Sequence, residues 1–262
     1  MIYALRVFAA QLHTALVLTT TYRAEMILWA LSGTLPIILM GVWGEAARTG
    51  AMPYTPVEMV RYFVAVLVVR QLTFVWVIWE FEEEVVTGRL SSLLLRPIDP
   101  VWNYVANHLA ERLARLPMIA LLVGLCFWLH PEAIFVPSPA VAATALGVTA
   151  LSFIVRFLLQ YTLAMACFVV ERASSLESLS FIAFVFLSGM LAPLDLYPAW
   201  VANLAAWTPF PYFVYVPAQI LVGADVDVPR AVGLLFVWGA LLLIAQRWAW
   251  RRGVSRYSAM GA

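Results

Sequence analysis

Long apolar runs constrain this chain more than any other feature of its sequence. A helix that crosses a bilayer needs about 20 mainly apolar residues, and runs of that kind cover 26–44, 59–80, 112–130, 140–170, 178–193 and 230–250. Charged residues make up only 12% of the chain, against about 25% in soluble domains, and the runs are too continuous for barrel strands. The sequence therefore predicts an all-α polytopic membrane protein with six transmembrane helices, forming a single transmembrane domain over 1–262.

The segment 1–24 precedes the first predicted span and mixes apolar residues with scattered polar ones, including Arg6, Gln11 and His13. A cleaved signal peptide would need an early basic start and a small-residue cleavage site, and neither is present in this segment. We expect an amphipathic helix that lies at the membrane surface and leads into the first span.

The distribution of arginine predicts the orientation of the chain, because basic residues accumulate in cytoplasmic loops. With a cytoplasmic N-terminus, only Arg48 and Arg230 fall clearly outside. The arginines that fall inside are Arg6, Arg23, Arg89, Arg96, Arg112, Arg115, Arg172, Arg247, Arg251, Arg252 and Arg256. We expect a multi-pass membrane protein with both termini in the cytoplasm.

The polar residues exclude several kinds of chemistry. All 16 basic residues are arginine, so the chain has neither the lysine of an ATP-binding Walker A loop nor a Schiff-base lysine. The histidines His13, His108 and His130 lie in different segments, which predicts no metal site. Cys126 and Cys167 lie in apolar runs and are expected to be buried. The net charge of +1 argues against nucleic acid as a partner.

The connection 80–113 is longer than a hairpin needs and is expected on the cytoplasmic side. A run of glutamates closes the second span, Gly88 permits a turn, and Leu90, Leu93 and Leu94 follow at helical spacing. A short helix with a leucine face and charged flanks fits the groove of a partner protein. The alternative is an interfacial helix that rests on lipid headgroups.

Proline interrupts the apolar segment between the fifth and sixth predicted spans. Because lipid does not tolerate exposed broken backbone, we expect 190–215 to form short re-entrant helices in the outer leaflet, packed against protein. The interrupting residues of this region and its continuation are Pro193, Pro198, Pro209, Pro211 and Pro217.

Two arginines, Arg70 and Arg156, lie near the middle of predicted spans, where a charge costs about 2.5–3.5 kcal/mol on insertion scales. They are expected to face a cavity or a protein partner. One interpretation is a positively charged lining that attracts an anionic group of a transported molecule. The other is a structural network with Gln71, Gln160 or free carbonyls.

Four segments in order resemble the membrane subunit of ABC-2 type ABC transporters, and specifically a bacterial branch of six-span permeases of poorly defined substrate. The segments are GRLSSLLLRPIDP (88–100), FLSGMLAPLDLYPAW (186–200), TPFPYFVYVPAQILVG (208–223) and RRGVSRYSAMGA (251–262). The resemblance covers nearly the whole chain.

The resemblance implies roles for the segments described above. The helix 88–96 would be a coupling helix seated on a cytoplasmic ATPase subunit, and 1–24 would be the connecting helix. ATP and Mg would bind only to the ATPase, and this chain itself would bind no cofactor. The expected partners are ABC ATPase subunits, a second permease subunit (the same or a related chain) and membrane lipids. The implied coupling residues are Gly88, Arg89, Leu90, Leu93, Leu94, Arg96 and Pro97. The candidate polar residues of the path are Arg70, Arg156 and Gln160, and those of an outer gate are Gly189, Pro193, Pro198, Pro209 and Pro211.

The function expected from this resemblance is ATP-driven export of an amphipathic or hydrophobic compound, a lipid or a lipid-linked molecule. An intramembrane lipid-modifying enzyme is one alternative, but it needs convergent acid–base, nucleophilic or metal-binding groups. A secondary transporter is another, and it normally shows internal repeats and helices broken near the midplane. The sequence shows neither pattern.

Overall fold

The computed structural model describes residues 2–21, 34–50, 52–170, 172–255 and 257. These residues form helices, short 3-10 turns and loops, without strands. The helices are α1 (Ile2–Thr21), α2 (Leu35–Arg48), α3 (Pro56–Thr73), α4 (Val77–Val86), α5 (Leu90–Leu94), α6 (Val101–Leu129), α7 (Pro139–Ala164), α8 (Ser174–Leu187), α9 (Ala199–Ala206), α10 (Phe210–Phe213), α11 (Tyr215–Leu221) and α12 (Val228–Val254).

Among the described residues, four helical stretches are long and apolar enough to cross a membrane. They are Pro56–Val86, Val101–Leu129, Pro139–Phe168 and Val228–Val254, and they correspond to the second, third, fourth and sixth predicted spans. The third begins well before residue 112, because α6 is one continuous helix from Val101 to Leu129.

The other two predicted spans are less complete. For the first span, only residues 34–44 are described, in α2, and 26–33 lie outside the described residues. The fifth was expected to reach residue 193, but α8 ends at Leu187, because Gly189 turns the chain with a φ of +79°. At 1.5 Å per residue, its 14 residues span about 21 Å, less than the hydrocarbon thickness. The six-span count stays a prediction.

Side-chain caps explain where three of the long helices begin. Thr55 and Glu58 form a capping box at the start of α3, Ser138 accepts from the Val141 N–H at α7, and Asp227 accepts from the Arg230 N–H at α12. In each helix a proline occupies one of the first two positions, where its missing N–H costs nothing.

Helix α7 lies at the centre of the bundle and contacts α3, α4, α8, α10, α11 and α12. Helix α2 packs on α3, and α1 packs along α6, with the Phe8 and Trp102 rings edge to face at 5.8 Å. The predicted N-terminal helix is therefore present, and its location at the membrane surface stays a prediction.

The buried apolar side chains form two clusters at opposite ends of the bundle. One contains most of α3 together with residues of α7, α11 and α12. The other joins α4, α5, the start of α6 and the end of α7, with Phe81, Leu90, Tyr104 and Tyr161 among its members. The second cluster positions the 80–113 connection.

Candidate functional site

The short helix α5 projects from the connection 80–113 and follows a turn at Gly88. Gly88 has a φ of +76°, a conformation that favours glycine over residues with a Cβ. The helix then runs over Leu90–Leu94, and the chain turns again before α6. The predicted short helix and its glycine turn are both present in the structure.

The leucines of α5 face the chain's own interior. Leu90 and Leu93 are buried and pack in the second apolar cluster with Phe81 and Tyr104, while Leu94 is half-buried. The expectation that the leucine face is available to a partner groove is therefore wrong for Leu90 and Leu93. The predicted helix is present, and the leucines do share one face. Which face of α5 packs against the bundle depends on the orientation of α5 relative to α4, which leucine spacing does not specify.

The residues of α5 and its ends that point away from the buried leucines remain exposed. Leu95 is 88% exposed, and the other members are Arg89, Ser92, Arg96 and Pro97. We call these five residues the α5 outer face. It carries two positive charges around one apolar side chain, which is a surface suited to a protein with acidic and apolar groups.

Two glutamates of α4, one in its first turn and one near its end, hold it against α6. Asn107 donates to Glu80 at 2.6 Å, and the Tyr104 hydroxyl donates to Glu84. The other two tie α4 to different elements: Glu82 caps the start of α8 by accepting from the Ser174 N–H at 2.7 Å and from its hydroxyl at 3.1 Å.

The fourth glutamate, Glu83, pairs with Arg89 of the α5 outer face at 2.6 Å. Each of the four carboxylates of this acidic run therefore has a partner within the chain. Three of the partners, Asn107, Tyr104 and Ser174, lie on elements distant in sequence, so no local pattern predicts these contacts. The contacts of the acidic run hold α4, and with it α5, in a fixed position relative to α6 and α8.

A break separates α3 from α4 at residues 74–76, within the second predicted span. The Arg112 guanidinium of α6 inserts there, with Nε donating to the Leu72 carbonyl at 2.7 Å and another nitrogen donating to the Phe74 carbonyl. Those carbonyls would otherwise accept from N–H groups one turn later, so the inserted side chain accounts for the break. Sequence analysis placed Arg112 only among the cytoplasmic arginines.

A buried histidine lies beside this break. His108 is fully buried, its two ring nitrogens are each 3.9 Å from a carboxylate oxygen, of Glu80 and of Glu111, and its ring is edge to face with Trp76. Among the described residues no three His, Cys, Asp or Glu side chains are grouped to hold a metal ion.

The two intramembrane arginines meet at one aromatic ring. The guanidinium carbons of Arg70 and Arg156 are each 5.7 Å from the centroid of Phe74, and that of Arg156 is 3.9 Å from the centroid of Phe184. Both arginines are buried. Their proximity depends on the break after Thr73, which no sequence pattern signalled.

Beside Arg156 lies a small cavity of ≈ 10 Å³ between α7, α8 and α10, lined by both aromatic and polar side chains. Gln160 donates to Glu177 at 2.7 Å, and one polar atom on each of Arg156, Gln160 and Glu177 is buried without a hydrogen-bond partner. The space is about that of one water molecule. Glu177 was missed by sequence analysis, although a carboxylate next to a predicted span was its signal.

The Pro-broken segment forms a 3-10 turn at Leu194–Leu196 followed by α9, α10 and α11. Pro198 and Pro209 are the residues just before α9 and α10, and Pro211 lies in the first turn of α10. Pro193 precedes the 3-10 turn. The predicted short helices are therefore present, and their place in the outer leaflet stays a prediction.

Gly189 fixes this segment to α3. The Tyr62 hydroxyl donates to the Gly189 carbonyl at 2.6 Å, and a Cβ on Gly189 would lie 2.7 Å from the Tyr215 Cβ and 2.9 Å from the Tyr62 hydroxyl. Nearby, Tyr54 donates to Asp195. Burial, together with this bond, raises the pKa of the Tyr54 phenol, so it stays protonated and keeps donating.

Comparisons with known proteins agree with the architecture. The family model described as ABC-2 family transporter protein matches residues 16–261, which includes every long helix described above except the start of α1. No curated protein matches the chain. Together with the four apolar helices, the match makes this a multi-pass membrane protein, and the chain belongs to the ABC-2 transporter family.

Proposed function

We propose that this chain is the permease subunit of an ATP-driven exporter in a bacterial inner membrane, with ATP and Mg bound by a separate ATPase. The family assignment supports the transport role. The 262 residues contain no lysine, so they do not include the Walker A loop that ATP hydrolysis requires. A second permease subunit would complete the pathway.

The observation that carries the proposal is the way α5 is held. Glu82 links α4 to α8, Glu83 pairs with Arg89 beside α5, and Asp99 just beyond α5 pairs with Arg247 of α12 at 2.5 Å. A force applied to the α5 outer face would therefore reach several long helices at once. This is the property that a rigid-body coupling element needs.

The α5 outer face, rather than the buried leucines, is the surface that would contact the ATPase. Leu95 would fill an apolar depression, and Arg96 would pair with a carboxylate at its rim. The cytoplasmic location of α5 and of both termini follows from the arginine distribution and is part of the proposal.

An amphipathic or hydrophobic cargo fits the surface of α8. This helix exposes Leu179, Ile182 and Phe186 on one side, and on the other its buried Glu177 accepts from Gln160 of α7. A pathway between two permease subunits along α8 would be mainly apolar, with Arg156 as a polar contact at its edge. Pro193, Pro198, Pro209 and Pro211 would close it on the outer side.

The experiment co-expresses this chain with candidate ABC ATPases taken from the genes that flank its own, and purifies the complex through a tag on this chain. We expect Leu95→Asp combined with Arg96→Glu to abolish stoichiometric association and the ATPase activity of the complex. The matched control is Val136→Asp, because Val136 is 89% exposed and lies on the connection expected outside. Full association of the Leu95→Asp, Arg96→Glu variant, with the chain still folded by size-exclusion chromatography, would refute the proposal.

A further inference from the structure

The last three turns or so of α12 carry a groove that neither the family nor the proposed function assigns. This shallow, open groove has a volume of ≈ 620 Å³ and is lined by three apolar side chains, Leu243, Ile244 and Trp248, and by three arginines, Arg247, Arg251 and Arg252. All six residues come from α12 alone, so the groove lies on the outer surface of the bundle.

The charges in this groove are only partly neutralised. Arg247 pairs with Asp99 at 2.5 Å, whereas neither Arg251 nor Arg252 forms an ion pair with a carboxylate of the described residues. The guanidinium carbon of Arg252 lies 4.2 Å from the centroid of the Trp248 ring, which positions its free N–H groups at the edge of the groove. Two positive charges therefore face outward at the end of a helix.

The surface of α12 that leads to the groove is apolar and exposed. Leu241 and Ile244 are more than half exposed, as is Trp248. Arg251 lies seven positions after Ile244, about 10 Å along a helix, which is enough to cross the roughly 5–8 Å between the hydrocarbon edge and the headgroups. Tryptophan is typical of that boundary.

We propose that this groove binds an anionic phospholipid, with the headgroup phosphate between Arg251 and Arg252 and an acyl chain along Ile244 and Leu241. The charge complementarity selects the anion, because two unpaired guanidinium groups bind phosphate oxygens well. The arginines adjoin the exposed apolar side chains of Leu241 and Ile244, which can contact an acyl chain, so the site favours a lipid over a soluble phosphate. The site requires that the chain lies in a membrane and is independent of cargo, direction and ATP hydrolysis.

The test counts lipids retained by the purified full-length chain in native mass spectrometry. Dioleoyl-phosphatidylglycerol is compared with dioleoyl-phosphatidylcholine, which has the same acyl chains and no net charge, and with soluble glycerol phosphate. We expect a preference for phosphatidylglycerol that falls about 30-fold in the Arg251→Gln, Arg252→Gln variant, about fivefold for each arginine. Glycerol phosphate should bind far more weakly, because it lacks the acyl contribution.

Two further variants separate a built site from general charge or misfolding. The Arg48→Gln, Arg230→Gln variant makes the same change in net charge at exposed positions elsewhere and should keep the preference. The Arg251→Lys, Arg252→Lys variant keeps the charges and should retain most of it. Equal retention of both lipids, equal loss in the Arg48→Gln, Arg230→Gln variant, or loss of bound phosphatidylglycerol when the ATPase joins the complex would each overturn the proposal.

Discussion

The Arg112 Nε atom lies 2.7 Å from the carbonyl oxygen of Leu72. This hydrogen bond joins α6 to the break between α3 and α4. The same guanidinium donates to the carbonyls of Phe74 and His108 and stacks on Phe153 at 3.9 Å. One side chain thus satisfies backbone acceptors that the break leaves without partners and connects α3, α4, α6 and α7. We regard this joint as the point where movement of α4 and α5 reaches the rest of the bundle.

Replacing Arg112 with leucine is expected to lower the free energy of unfolding by at least ~2 kcal/mol, because each buried acceptor left unsatisfied costs about 1–3 kcal/mol. Thermal unfolding in detergent measures the change. Arg89→Leu is the control, since it removes an exposed ion pair with Glu83, which contributes at most about 1 kcal/mol. Equal effects of the two changes would show that Arg112 does not hold the break.

Gly189→Ala is expected to destabilise the chain by more than backbone conformation alone explains. The positive φ disfavours alanine by about 1–2 kcal/mol, and the new Cβ would also meet Tyr215 at 2.7 Å. Gly50→Ala is a matched control, because Gly50 has a φ of +72° and nothing within 4 Å of the position of its Cβ. A melting temperature lowered equally by both substitutions would contradict the close packing at Gly189.

Glu82→Ala is expected to cost about 1 kcal/mol, the usual value of a lost helix cap, because Glu82 accepts from the first N–H of α8. Glu83→Ala should be nearly neutral, since the partner of Glu83 is exposed. Hydrogen exchange at the first turn of α8 distinguishes the two variants. Protection of that turn that is unchanged in Glu82→Ala would argue against the cap.

A double-mutant cycle tests whether Arg156 and Glu177 act together. Arg156→Leu alone leaves Glu177 buried without a nearby cation, so we expect it to be strongly destabilising, and Glu177→Leu should relieve part of that cost. The expected coupling is about 1–3 kcal/mol. Additive effects on stability, with transport lost in Arg156→Leu, would instead assign Arg156 to the cargo.

The helical architecture could be predicted from the sequence, but the angles between helices could not. The apolar runs at 140–170 and 230–250 correspond to α7 and α12 because length and hydropathy decide whether a segment can span a membrane. Gly88 was predictable for a similar reason, since a turn between two helices favours a residue that tolerates positive φ.

The contacts between elements could not be read from local patterns. Leucine spacing predicts a face on α5 but not which side of that face meets the bundle, and Leu90 and Leu93 face inward. The insertion of Arg112 at Leu72 joins residues that are 40 positions apart, and no local pattern encodes such a pairing. Local periodicity reports amphipathicity, whereas the burial of a particular side chain depends on the packing of distant elements.

The most direct test of the central claim places a photo-crosslinking amino acid at position 95 of the full complex with its ATPase. The account predicts a strong crosslink to the ATPase that changes in yield between the ATP-bound and nucleotide-free states, and none from the same probe at position 136. A crosslinker at position 95 that captures only lipid, or that reacts from the outer side of sealed vesicles, would contradict the account.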